Sequence, residues 1–367
     1  MVILIQNGEV FTPASIGRAD LLIAGDLIQK VGAVDREALD RLDLETEYID
    51  ADGCFVVPGL IDAHEHLLGG SGEKGFSSQT PEMHFSEIVS AGITTVVGCL
   101  GVDTTMKTMP GLLGRAKALK EEGLSAYIWS GGYNVPPTTI METIRDDVLF
   151  IEEVIGAGEV AISDERSTDP TVHELARLTN DTYVGGMLSR KAGITHFHVG
   201  NGTGRLRMLR QLIEDFEAPP ETLYPTHVER NEKLMDEAIE LTRRGCFVDI
   251  DTANEDLQKW LTYYFEHDGD PAQLTISSDA SITSPGNILD QIRDCVEKSD
   301  LKLERLLPLV TSNTARVLKL KRHGKLERQM KADLLLLDRK TLELKEVIAC
   351  GRRLLKDGKP VGKEVQD

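Results

Sequence analysis

The sequence predicts a (β/α)8 TIM barrel flanked by a small β-sandwich domain built from both chain termini. Three observations carry this. Eight short apolar runs alternate with helical patterns through the middle of the chain, the signature of βα units around a parallel sheet. Those units occupy about 255 residues, the usual size of such a barrel. On either side of them the rhythm is strand and turn, without a long helical pattern. An open doubly wound sheet is the alternative, but no Gly-rich dinucleotide fingerprint follows the first run. The segments implied are 1–57 plus 318–367 for the sandwich and 58–317 for the barrel.

Taken in order, Val2–Ile5, Asp20–Ile23 and Leu27–Val31 read as strands, with Asn7-Gly8 and Gly25-Asp26 as hairpin turns. The apolar stretch Phe55–Ile61, interrupted at Pro58-Gly59, leads into the barrel. The eight runs are Leu60–His64, Ile93–Gly98, Ala126–Ser130, Val160–Ser163, Ile194–His198, Leu223–His227, Phe247–Asp251 and Leu274–Asp279. Leu112–Glu122 and Asn231–Arg244 are helix candidates between them. In the second, Leu234, Met235, Ala238, Ile239 and Thr242 make one apolar stripe, and Gly245 ends it. Ala332–Asp338, Leu342–Val347 and Arg353–Leu355 read as the returning strands.

Forty-one basic and 60 acidic residues give a net charge of −19. This argues against general binding to nucleic acid or an anionic membrane surface, while an acidic small molecule needs only a few local arginines. The five cysteines are scattered without a CxxC and read as reduced core thiols of a cytosolic protein. The first residues lack the pattern of a signal peptide, and no apolar stretch is long enough to span a bilayer. The expected location is cytoplasmic.

The chemistry gathers at strand ends, where barrels of this class place their active sites. In a strand, residues i and i+2 share a face, so His64 and His66 can aim two imidazoles at one point. Alone, the pair is either a metal-ligand pair or two polar residues at a strand terminus. The fourth run opens with Gly158-Glu159, the fifth ends in His196-Phe197-His198, the sixth in His227-Val228-Glu229-Arg230, and the eighth in Ser277-Ser278-Asp279. Imidazoles and carboxylates at these strand ends are good metal ligands.

This pattern resembles the amidohydrolase superfamily, and within it the isoaspartyl (β-aspartyl) dipeptidases. The pieces that carry the resemblance are the stretch from Gly59 to Glu73, Ala91–Gly98, Ala161–Arg166, Phe197–Gly200, Pro225–Asn231 and Ser277–Asp279. The resemblance implies a metallopeptidase with two Zn2+ per chain, bridged by a hydroxide. His64, His66 and Asp279 would hold one ion and His198 and His227 the other. Asp279 would act as general base and then general acid. The family bridges its metals with a carbamylated lysine from the fourth strand. Here Val154–Ser163 contains no lysine and is one residue longer, and Glu159 is the substitute bridge. His196 is read as packing, or as a partner of a ligand.

On the substrate side the resemblance assigns Arg166 and Arg230 to the carboxylates of a dipeptide, where a planar guanidinium binds both oxygens. Glu73 would meet the substrate amine and Tyr133 the developing oxyanion. Thr283, or Ser281 beside it, would contact substrate. Val102 stands where relatives have a threonine. The expected activity is hydrolysis of the isopeptide bond of β-aspartyl dipeptides by a homo-oligomer. Two alternatives remain: another carboxylate-bearing amide (a cyclic amide, an imide or an N-acyl amino acid), and a non-catalytic barrel with a degraded metal centre.

Overall fold

The computed structural model describes residues 2–70, 72–253, 256–281 and 283–361, so the last six residues of the expected 318–367 segment lie outside it. All eight runs are strands: β1 (Leu60–Glu65), β2 (Ile93–Gly98), β3 (Ser125–Ser130), β4 (Val154–Ile162), β5 (Ile194–Val199), β6 (Leu223–Thr226), β7 (Val248–Asp251) and β8 (Leu274–Ser277). Strands β1 to β6 form one parallel sheet in chain order, and β7 pairs with β8. Both faces of these strands are covered, which is why they read as nearly continuous apolar runs. Helices run between them, among them Met109–Glu122, Val172–Ser189 and Glu232–Arg243. The stripe predicted on Glu232–Arg243 is buried from Leu234 to Thr242, and Asn231 caps the helix by accepting from the Leu234 amide.

Polar side chains complete the barrel where backbone ladders stop. A bridge between Glu65 and Ala280 returns the chain after β8 to β1. Asp62 reinforces it by accepting from the amides of both His64 and Ser278. On the other side, Asp249 of β7 accepts from Tyr224 and Thr226 of β6 and from Thr275 and Ser277 of β8. One fully buried carboxylate thus pins three neighbouring strands from inside the barrel. Burial raises its pKa, and the hydroxyls oppose that rise.

The structure alters two sequence readings. Strand β4 begins at Val154 rather than Val160, because its glycines serve close packing and not a turn. A Cβ on Gly156 would lie 2.2 Å from the Ile194 carbonyl oxygen and 2.8 Å from the Trp129 ring. Gly25-Asp26 does close a hairpin, between Leu21–Ala24 and Leu27–Val31. Asn7-Gly8 does not: the strands it joins, Val2–Gln6 and Glu9–Phe11, belong to different sheets. A Cβ on Gly8 would lie 2.4 Å from Val56, so the chain crosses there through a gap with no room for a side chain.

Those two sheets face each other. One has four strands from the first fifty residues. The other has seven, with Leu334–Asp338 hydrogen-bonded between Leu344–Ala349 and Cys54–Pro58. Leu334 and Leu336 pack with Ile3, Ile5 and Val56 between the sheets, while Leu335 and Leu337 pack on the barrel side with Val57 and Val347. The period of two explains an unbroken run of four leucines.

Asp249→Ala is expected to lower stability by about 2–4 kcal/mol, since four buried hydroxyls lose their acceptor. A denaturant titration against the wild-type protein measures the loss.

Candidate metal centre

Five strand ends converge on one buried point. His64 and His66 share a face of β1, as their spacing requires, and Glu159 comes from β4. His198 lies near the end of β5, and His227 and Asp279 follow β6 and β8. His227 and Asp279 have φ of 62° and 48°, a left-handed conformation uncommon for residues with a Cβ. It turns both side chains inward at positions where side-chain contacts hold them.

The extra residue near Glu159 is absorbed by a β-bulge. The β4–β5 register passes from Ala157↔Thr195 to Val160↔Phe197, so Gly158 and Glu159 together oppose His196. Such an insertion re-aims a side chain. Gly158, with φ 148°, permits it, since a Cβ there would lie 2.8 Å from that of His196.

Glu159 is 1% exposed and faces four imidazoles. Its Oε2 is 3.3 Å from His64 Nε2, 3.1 Å from His198 Nδ1 and 3.9 Å from His227 Nε2, and its Oε1 is 3.4 Å from His66 Nε2. Asp279 Oδ1 lies 3.4 Å from His64 Nε2 and 3.1 Å from His66 Nε2. Two light-atom ligands on one tetrahedral zinc stand roughly 3.3–3.5 Å apart, from bond lengths of about 2.0–2.1 Å. The cluster therefore has the spacing of ligands around shared ions. His64 Nε2, His227 Nε2 and Glu159 Oε1 are buried without a hydrogen-bond partner, as atoms reserved for a cation would be.

Neighbours set the tautomers of His196, His64 and His227 in the same sense. His196, stacked on Trp129, must donate from Nδ1 to the Tyr224 carbonyl, so its Nε2 accepts from His64 Nδ1 at 3.0 Å. That leaves His64 Nε2 as the outward atom. His227 Nδ1 donates to Asp251 at 2.6 Å and leaves its own Nε2 free. His198 Nε2 stands between Asp164 Oδ2 at 3.1 Å and Arg166 Nη2 at 3.0 Å, and its Nδ1 faces Glu159 at 3.1 Å. The Tyr133 hydroxyl, 2.8 Å away, also reaches that atom.

The electrostatics demand positive charge. Burial would raise the Glu159 pKa, but His64 and the other imidazoles hold it well below the usual carboxylate range. Burial would lower His64, but Glu159 and Cys99 push it well above the usual value. His227 is raised against burial to about 9 by Asp251. The rise at His64 and His227 marks a field that favours positive charge at these positions. The donor set and its geometry fit a metal cofactor.

Above the cluster opens a cavity of about 540 Å³. His66, His198 and Asp279 reach it from below, and Tyr133, Arg166, Arg230 and Glu73 line its walls. Arg166 grips both oxygens of Asp164 at 2.8 Å and meets Glu73 at 2.6 Å. Arg230 is anchored through Nε to the Val199 carbonyl at 2.8 Å. Val102 lines the cavity as well. Thr283 does not; Ser281 takes that wall, against Gly70. Sequence reasoning missed Asp164, Asp251, Cys99 and Lys107, the last of which lines the cavity and donates to the Gly70 carbonyl at 3.2 Å. Asp251 ends the seventh run, so the strand-end criterion, applied to that run, would have found it.

Residues 55–361 match the model of the amidohydrolase family. The β-aspartyl dipeptidase of Fervidobacterium islandicum AW-1 is similar over the full length of both chains, at 39% identity and a TM-score of 0.95. A second structure of that protein, in complex with β-Asp-Leu, gives 37% and 0.94 over the full length of both chains. The dihydroorotase of Syntrophotalea carbinolica is 38% identical over 102 residues, 27% of this chain and 22% of that protein. That of Streptococcus pyogenes serotype M3 is 28% identical over 223 residues, 55% of this chain and 49% of that protein. The likeness thus spans between about a fifth and a half of the length of these curated relatives. No helix among the described residues is long and apolar enough to cross a membrane.

Asp251→Asn should preserve the fold but weaken metal binding about 10–100-fold, because a neutral amide is a weaker acceptor for the His227 Nδ1–H than the carboxylate that now orients it. Competition with a chromogenic chelator reads this directly.

Proposed function

The chain belongs to the amidohydrolase family, and from that premise we propose that it is a zinc-dependent β-aspartyl dipeptidase. The observation that carries the reading is the cavity itself. It sets Arg166, Arg230 and Glu73 opposite a buried cluster of histidines and carboxylates. A β-aspartyl dipeptide brings two carboxylates, one ammonium and one side-chain amide, and these groups match that arrangement. Full-length likeness to a dipeptidase solved with β-Asp-Leu supports the same substrate class.

His64, His66 and Asp279 would hold one ion, His198 and His227 the second, and Glu159 would bridge them. When bound, two zinc ions supply a Lewis acid for the amide carbonyl and make water acidic enough to deprotonate near neutral pH. The protein's own groups do the rest. The Glu73–Arg166 ion pair is a placeholder: the substrate ammonium draws Glu73, and a substrate carboxylate takes the freed face of Arg166. Arg230 receives the other carboxylate. Tyr133 is buried and its pKa is pushed well up, first by burial and then by Glu159, so its hydroxyl stays protonated and can donate to the developing oxyanion. Asp279 removes a proton from the attacking water. As the C–N bond breaks it passes that proton to the leaving amine, and aspartate and a second amino acid are released.

Zinc-loaded protein is expected to release aspartate from β-Asp-Leu and leave α-Asp-Leu intact. Failure to turn over any β-aspartyl dipeptide would sink the proposal. Val102 in the cavity wall and the partial likeness to dihydroorotases make cyclic amides the second set of compounds to assay. Glu159→Ala should reduce bound zinc from about two ions per chain to about one, measured by elemental analysis, since the bridging oxygens are lost.

A further inference from the structure

Cys99 belongs to the same ring of buried atoms, yet nothing in the dipeptidase reading uses it. It follows β2 by one residue, and its amide donates to the Glu65 carbonyl at 2.9 Å, which fixes the side chain beside β1. The ligand atoms of Cys99, His64, His66 and Glu159 all lie within 4.8 Å of one another, and all four residues are buried. Its Sγ stands 3.6 Å from Nδ1 and 4.0 Å from Nε2 of His66. Gly101, with φ 73°, then turns the chain across that ring, where a Cβ would come within 2.6 Å of His66 Cε1. Among the described residues no other cysteine joins such a group. Cys246 and Cys295 are core thiols pushed up by burial to about 12 and about 11.

The bland account is a thiol that donates weakly to the Glu65 carbonyl, 3.5 Å away. It leaves two facts aside. His64 Nε2 and Glu159 Oε1, members of the same group, are buried with no hydrogen-bond partner. Glu159, Asp279 and a bridging hydroxide would also supply only three negative charges against the four of two divalent ions, and uncompensated charge is costly in a buried site. A thiolate reduces that excess and is a favoured zinc ligand.

We propose that Cys99 is a further ligand of the metal held by His64 and His66, bound through Sγ as the thiolate. The thiol proton leaves to solvent as the metal–sulfur bond forms. The proposal rests on the cluster being a metal centre, not on the identity of the substrate.

The test uses full-length protein stripped with a chelator and reloaded with Co2+, without substrate. A thiolate on cobalt gives an intense near-ultraviolet charge-transfer band that imidazole and carboxylate ligands lack. The band is expected in the wild-type protein and absent from Cys99→Ser, with cobalt affinity weakened by roughly tenfold or more in the variant. Wild-type protein that binds cobalt and shows no band overturns the assignment whether or not the variant folds. An unchanged band in Cys99→Ser overturns it too, and protein that takes up no cobalt removes the metal centre on which it rests. No turnover of β-Asp-Leu leaves the assignment standing, and a missing band leaves the dipeptidase reading standing, so the two fail separately.

Discussion

A carboxylate shut away from water must be surrounded by positive charge or donors, and Glu159 imposes that condition on the heart of this protein. It is 1% exposed and meets imidazoles carried by β1, β5 and the turn after β6. The bulge at Gly158-Glu159 brings it there, and Gly158 makes the bulge possible. The partners behind the imidazoles answer the same condition. His196 and Asp251 each engage the far nitrogen of a ring, so that the near nitrogen is left for the centre, and Asp164 meets the far nitrogen of His198. Rigid strand ends and a fixed set of donors keep such a site organised before any substrate arrives.

The two faces of the cavity are built differently. The lower face stands on strands and is locked by buried pairs. The upper face is held by ion pairs that a ligand can exchange. Arg166 already has its guanidinium filled by Asp164 and Glu73, and the Glu73 side chain is 47% exposed. Asp164 is the permanent partner: Arg166, its strongest influence, drives its pKa far below the ordinary carboxylate range. Glu73 is the replaceable one. Under the proposed function, a molecule with ammonium and carboxylate on one carbon would satisfy both halves of the pair it separates.

Much of this was legible in the sequence, for identifiable reasons. Parallel strands covered on both faces read as apolar runs, so the eight barrel strands stood out, and His64 and His66 share a face by spacing alone. The start of β4 was hidden because Gly156 and Gly158 resemble a turn until their close neighbours are known. Asn7-Gly8 has the composition of a hairpin turn and the job of a crossing between sheets. Asp164 and Cys99 escaped because their meaning depends on what stands opposite them in space. Cys99 directly follows the second run, but a lone thiol there reads as core, and nothing in sequence order says that Asp164 meets His198. Thr283 and Ser281 could not be separated by type, and only the cavity wall divides them.

The central strand of the sandwich, Leu334–Asp338, has a bearing on how the chain reaches this state. It fills the place beside Cys54–Pro58, the segment that leads directly into β1 and the two histidines. During synthesis every barrel strand emerges before that partner exists, leaving Cys54–Pro58 with an open edge and its leucine-facing side uncovered. Pairings between distant parts of a chain form late, and unpaired edges are points of misassembly. The last strands therefore act as a closing clasp, and a chain stopped short of them would carry all the histidines and carboxylates of the site on a barrel whose entrance strand is still unmoored.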